Sequence, residues 1–179
     1  MNLKPEYTRF LPHYHHQHAT FFVTFRLYNS LPKAFSVKLG QWYQEELAKC
    51  ELIKDLTQKA TMKYLAQRSF FKKMDDVLDS CIGGSDFLKI PTVARCVTEQ
   101  LDRFDQELYE LLAYSIMPNH VHTLLDFSIQ HSGNGETAPN WYRNLDYAMF
   151  RIKGASARYA NQHLNRTGQH FWQPEYHNR

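Results

Sequence analysis

The alternation of apolar and polar positions first predicts a β-strand over residues 19–28. This segment is dense in aromatic and β-branched residues, and prolines flank it on both sides. Because successive side chains on a strand point to opposite faces, two sets of residues separate. One face carries Phe21, Val23, Phe25 and Leu27, and the other carries Phe22, Thr24, Arg26 and Tyr28.

From about residue 34 to residue 80 the apolar residues recur at helical spacing, in a stretch rich in good helix formers. Residues 81–85 (Cys-Ile-Gly-Gly-Ser) interrupt this pattern. A second amphipathic helix is predicted over residues 91–104, where a proline suits the first turn. A long helix is predicted over about residues 144–164, and a glycine soon after it marks its end.

Two further strands are predicted at residues 107–116 and 121–127, and the link between them (Met-Pro-Asn) is short enough for a hairpin. A last extended piece begins near residue 170. This order of elements predicts an α+β fold, in which an antiparallel sheet carries helices on one face.

The composition places the chain among ordinary globular proteins. It has 179 residues, of which 43% are hydrophobic and 22% are charged, so a disordered chain is excluded. No apolar run is long enough for a membrane span, and no signal peptide is visible. Three scattered cysteines without metal-site spacing predict buried, reduced thiols, and we expect a cytoplasmic protein.

The charge is unevenly distributed along the chain. Residues 141–179 contain six Lys or Arg and two acidic residues, whereas residues 1–140 are almost neutral. Aromatic residues are interleaved with this basic segment, a combination that suits single-stranded nucleic acid because every base has a face to stack. The same pattern also suits a solvated helix face over an aromatic core, so both interpretations stay open at this point.

The pair His120 and His122 is the strongest candidate in the sequence for a binding or catalytic site. Residues two apart on a strand point to the same face, roughly 6.5–7 Å apart along it. Two imidazoles at that spacing can converge on one metal ion or one phosphate, while Val121 faces the other way. Two ligands do not complete a site, so a further ligand has to come from elsewhere. The alternative is a polar pair on a solvent-facing strand.

Residues 116–125 (Ile-Met-Pro-Asn-His-Val-His-Thr-Leu-Leu) closely resemble the Met-Pro-Asn-His-Val-His-Leu-Leu signature of the HUH-type transposases of insertion sequences. More narrowly, they resemble the REP-associated tyrosine transposases and their relatives. Residues 11–27, 152–161 and 171–176 (Phe-Trp-Gln-Pro-Glu-Tyr) resemble further family elements in the same order.

The resemblance implies a ferredoxin-like core, here a single domain over residues 1–179 with a helical insertion at about 33–104. It also implies DNA transposition through a divalent metal ion, Mg²⁺ or Mn²⁺, and a tyrosine that forms a 5′-phosphotyrosine with single-stranded DNA, often beside a hairpin. By this resemblance His120 and His122 are the expected metal ligands. The expected DNA contacts are Arg26, Lys153, Arg158 and Trp172.

The sequence departs from the family pattern near its end. In relatives the nucleophilic tyrosine lies on a helix well beyond the Trp-Gln element, but only seven residues follow Trp172 here. We therefore expect that tyrosine to lie beyond Arg179, with Tyr176 only a weak stand-in. The expectation is a chain that binds DNA without cleaving it, as a truncated transposase or as a domesticated hairpin-binding module.

A different class of function also fits the histidines. A small metal-dependent hydrolase would use His120, His122 and one of four histidines near the N-terminus, namely His13, His15, His16 and His18. The sequence leaves open whether the protein forms a homodimer, which hairpin it reads and which metal it uses.

Overall fold

A computed structural model describes residues 6–8, 12–14, 18–130 and 142–178. The chain divides into two compact units, of which one spans residues 1–28 with 86–179 and the other spans residues 29–85. The helices of the described part are α1 (Lys33–Glu51), α2 (Leu56–Asp79), α3 (Pro91–Arg103) and α4 (Leu145–His163). Its strands are β1 (Glu6–Thr8), β2 (Pro12–Tyr14), β3 (Thr20–Leu27), β4 (Glu110–Ile116), β5 (His120–Asp126) and β6 (Trp172–Asn178).

The first unit is built on a four-stranded sheet in the order β4-β5-β3-β6, and every neighbouring pair is antiparallel. Strands β1 and β2 form a separate pair. The order of the strands along the chain, with α3 before β4 and α4 before β6, is the ferredoxin-like arrangement. The predicted α+β class is therefore confirmed.

One face of this sheet forms the core. The apolar side chains that β3 and β5 place on it pack with α3 and α4. Fully buried examples are Val23, Phe25, Val97, Leu101, Val121, Leu125, Met149 and Ile152. Burying a side chain of this size contributes about 1.5–3 kcal/mol. The face of the first strand that was predicted to be apolar lies in this core, and Val121 lies there as predicted for the residue between the two histidines.

The second unit contains two helices where the sequence pattern indicated one helical stretch. Residues 52–55 separate them, and Asp55 caps α2 by accepting the backbone N–H of Gln58 at 2.6 Å. The unit is closed at its ends, where the Ser85 N–H donates to the carbonyl of Asn29 at 3.1 Å. Gly84 has a φ of +85°, and a Cβ there would meet the backbone of residues 29–30.

Helix α3 belongs to the first unit, although the predicted insertion ran over residues 33–104. Its buried side chains pack against α4 in the core of the sheet. The second unit by itself covers residues 29–85.

The composition predicted buried, reduced cysteines and no membrane-spanning segment. All three cysteines are free, and Cys50 and Cys96 are buried as predicted. Cys81, which follows the end of α2, is exposed. Among the described residues, no helix combines the length and the apolar character that crossing a membrane requires.

Candidate metal and DNA site

The histidine pair lies on the face of the sheet opposite the core. Strand β5 runs between β4 and β3, and residues directly opposite each other on paired strands share a face. Thr24 is opposite His122 and Arg26 is opposite His120, so two β3 side chains accompany the pair. On the other side of β5, Ser115 of β4 is opposite His122.

The two imidazoles converge. Their Nε2 atoms lie 2.9 Å apart, their ring centroids lie 4.5 Å apart, and the rings are nearly perpendicular at 82°. His120 is fully buried and His122 is half-buried. Strand geometry sets the spacing of the backbone, and the χ angles of both side chains bring the ring nitrogens together.

A hydrogen-bond partner orients each ring through its other nitrogen. Nδ1 of His120 lies 2.7 Å from Oδ1 of Asn119, and Nδ1 of His122 lies 2.8 Å from Oγ1 of Thr24. An amide oxygen only accepts, so His120 carries its proton on Nδ1 and presents a lone pair at Nε2. The Thr24 hydroxyl both donates and accepts, so it suits either tautomer of His122. Phe22 stacks on the His122 ring at 5.3 Å.

This arrangement fits a divalent metal ion. Neutral imidazole nitrogens are common metal ligands, and metal-binding histidines usually donate their second ring N–H to an oxygen. Asn119 already accepts such a bond from His120, and Thr24 accepts one from His122 once Nε2 of His122 is deprotonated. The Nε2 atoms of both rings point to one place, and His120 and His122 belong to a group that could hold a metal ion.

Arg26 brings a positive charge to the same face as the histidines. It is half-buried, and burial lowers the pKa of its guanidinium from 12.5 to about 10, because desolvation disfavours the charged form. The group still carries its charge at neutral pH. A guanidinium opposite His120 suits the bidentate recognition of a phosphate.

Two of the other predicted DNA contacts lie on the opposite side of the sheet. Trp172 is opposite Leu27, so it lies in the core, and its indole N–H donates to Oγ of Ser156 at 3.0 Å. Lys153 of α4 donates to the carbonyls of Gln173 and Pro174 at 2.8 and 2.7 Å. The structure does not bring these two side chains to the histidine pair.

Arg158 is exposed on α4, and Tyr176 lies near that helix. Tyr176 is opposite Phe25 on β3, which places it on the core side. It is buried, and its hydroxyl donates to Oδ1 of Asp146 at 2.6 Å. The tyrosine considered as a stand-in nucleophile therefore points away from His120 and His122.

Three residues near the histidine pair were not predicted as site residues from the sequence. Thr24 and Asn119 orient the rings, and His177 of β6 is a buried side chain opposite Thr24. Thr24 shares its predicted face with Arg26, and Asn119 directly precedes the pair, so the strand pattern contained a signal for both. The sequence pattern contained no signal for His177, because its position beside Thr24 depends on the pairing of β6 with β3.

Of the four N-terminal histidines weighed as a third ligand, only His18 has a described side chain. Its ring lies 5.2 Å from the ring of Tyr142, and within the described residues no metal-ligand group joins it to the pair. His15 and His16 lie outside the described residues, as does the side chain of His13.

The chain is similar to a solved structure of a transposase. No protein-family model matches the chain, and no curated protein matches it. A REP-associated tyrosine transposase, solved bound to a REP hairpin, is 12% identical with a TM-score of 0.39. The match covers 97% of this chain and 60% of that transposase, so this chain spans less than two thirds of its length. Similarity at this level assigns neither a family nor a function.

Proposed function

We propose that this chain is a transposase-like protein that binds DNA, single-stranded or in a hairpin, on the sheet face that carries His120 and His122. The observation that carries the proposal is the 2.9 Å separation of their Nε2 atoms on that face. The Met-Pro-Asn-His-Val-His motif supplies the transposase part of the proposal, because it places these two histidines where the HUH-type enzymes have their metal ligands.

The metal part of the proposal rests on the two oriented rings. His120 and His122 would hold a divalent ion, Mg²⁺ or Mn²⁺, of which Mn²⁺ suits imidazole better. When bound, such an ion acts as a Lewis acid that draws charge from a phosphate oxygen. Thr24 and Asn119 fix the ring orientations in advance, so less order is lost when a ligand binds.

The DNA part of the proposal rests on charge. Arg26 has the strongest support among the proposed contacts, because it is a partly desolvated cation opposite His120. Lys153, Arg158 and Trp172 remain proposed contacts from the sequence motifs, on or beside α4. We assign no nucleophile: the Tyr176 hydroxyl is bonded to Asp146 on the other side of the sheet, which supports binding without cleavage by this residue.

Metal titration and DNA binding test the proposal separately. Calorimetry with Mn²⁺ should show binding to the wild type and none to the double variant His120→Ala/His122→Ala. His163→Ala is the matched control, because it removes an exposed imidazole at the end of α4. Unchanged metal binding in the double variant would refute the ligand assignment.

Fluorescence anisotropy with a labelled DNA hairpin that carries a single-stranded extension tests the DNA part. We expect the wild type to bind this probe and Arg26→Gln to bind it more weakly. A wild type without measurable affinity for the probe at low salt would refute the proposed function.

A further inference from the structure

Three arginines and two aromatic rings alternate on a surface where the end of α3 meets the first half of α4. The Cζ atom of Arg143 lies 5.4 Å from the ring centroid of Tyr147, and that of Arg151 lies 5.7 Å from the same ring. Arg151 also lies 5.3 Å from the ring of Phe104, and Arg103 lies 5.7 Å from it. We call these five residues the arginine ladder.

The fold positions the ladder firmly. Tyr147 and Arg151 lie one turn apart on the same side of α4, and Arg143 directly precedes Asn144, the residue that caps the helix. Phe104 is buried directly after α3, and α3 packs against α4. Arg151 also donates to the Tyr147 hydroxyl at 2.9 Å. Side chains held in this way lose little conformational freedom when they bind a ligand.

The ladder concentrates positive charge. All three guanidiniums belong to exposed residues. In the part of the chain that the structure describes, neither Arg103 nor Arg151 has a carboxylate within ion-pair distance. The nearby Asp105 accepts the backbone N–H of Leu111 at 2.8 Å. The like charges of Arg103 and Arg151 repel one another, and a bound polyanion relieves that repulsion.

The chemistry of the ladder favours phosphates over bases. A guanidinium stacked on a ring keeps its N–H edge available for hydrogen bonds in the plane, the geometry that matches a phosphate. Sites for single-stranded nucleic acid instead present open aromatic faces to the bases. In the ladder the ring of Tyr147 faces two guanidiniums, and Phe104 is buried.

We propose that the arginine ladder binds the phosphodiester backbone of the duplex stem of a DNA hairpin, an inference that rests on the proposed function. One strand of a duplex places a phosphate about every 3.4 Å along the duplex axis, and the ladder offers three guanidiniums in a row. The ladder therefore suits contact with successive phosphates of one strand.

The test compares two labelled probes, a blunt DNA hairpin and an unstructured single strand of the same length, over a series of salt concentrations. In Arg103→Gln/Arg151→Gln we expect about tenfold weaker hairpin binding. The slope of log K against log salt should fall by about 1.8, which is two phosphate contacts at about 0.9 each. The affinity for the single strand should fall by a smaller factor than the affinity for the hairpin, because the slope per phosphate contact is smaller for single strands, about 0.7.

Arg68→Gln is the matched control, because it removes an exposed arginine from α2 and should leave both affinities unchanged. If the glutamine double variant fails to fold by circular dichroism, Arg103→Lys/Arg151→Lys decides. It keeps the charge and loses the planar fork, so hairpin affinity should fall severalfold while the salt slope stays.

The outcomes separate the ladder from the proposed function. Suppose that the wild type binds the hairpin. An unchanged salt slope in the folded glutamine variant, or wild-type affinity in the lysine variant, would then refute only the proposal that the ladder binds the duplex stem. If the wild type binds neither probe, both the proposed function and the proposed role of the ladder are refuted.

Discussion

Oγ1 of Thr24 lies 2.8 Å from Nδ1 of His122, a hydrogen bond that joins neighbouring strands beside the histidine pair. We expect Thr24→Val, which is nearly isosteric, to lower the affinity for Mn²⁺ by about 10–100-fold, because the ring of His122 loses the partner that orients it. Calorimetric titration measures the change. Thr98→Val on α3 is the matched control, since its hydroxyl bonds only to its own helix. Equal affinities for Thr24→Val and the wild type would show that Thr24 does not position the ring.

The hydrogen bond between Tyr176 and Asp146 is expected to stabilise the fold. We expect Tyr176→Phe to lower the free energy of unfolding by about 1–3 kcal/mol, because a partly buried hydrogen bond to a carboxylate is lost. Urea denaturation measures it, with the exposed Tyr159→Phe as control. Metal affinity should not change, since Tyr176 lies on the other face of the sheet from the histidines. A loss of metal binding in Tyr176→Phe would contradict this placement.

The hydrogen bond from Trp172 to Ser156 is also expected to stabilise the fold. Ser156→Ala leaves the buried indole N–H of Trp172 without its acceptor, so we expect a loss of about 1–3 kcal/mol in the free energy of unfolding. The combined variant Ser156→Ala/Trp172→Phe isolates the coupling between the two groups in a double-mutant cycle. Strictly additive effects of the two single changes would indicate that the hydrogen bond contributes nothing.

Glu51 makes the second unit sensitive to acid. Hydrogen bonds from Lys59 and Lys63, both at 2.6 Å, lower the pKa of Glu51 from 4.5 to about 2. A carboxylate with a lowered pKa in the folded state stabilises the fold above its unfolded pKa, and this contribution disappears as the pH falls. We expect it to be lost between about pH 4.5 and pH 2.

The thermal midpoint measured against pH tests this effect. Over that range the wild type should lose more stability than Glu51→Gln, by a small margin, because the three side chains are exposed to solvent to different degrees and water screens their attraction. Glu45→Gln on α1, also exposed, should follow the wild type. Parallel curves for Glu51→Gln and the wild type would contradict the prediction.

Much of the architecture could be predicted from local patterns. Alternation over residues 19–28 predicted β3 and its core face, and the turn before His120 predicted the hairpin of β4 and β5. These signals are local because helix and strand periodicities depend on neighbouring residues. The packing of α3 in the first unit could not be predicted locally, because an amphipathic helix has the same pattern whichever unit it packs in.

The sequence by itself determined that His120 and His122 share one face of a strand, because a period of two is a property of the extended backbone. Only the tertiary structure decided what surrounds them. Thr24 reaches His122 across 98 positions of sequence, and Arg151 meets Phe104 through the packing of α3 on α4. Such pairs depend on strand register and helix packing, which burial of the whole core selects and no local pattern contains.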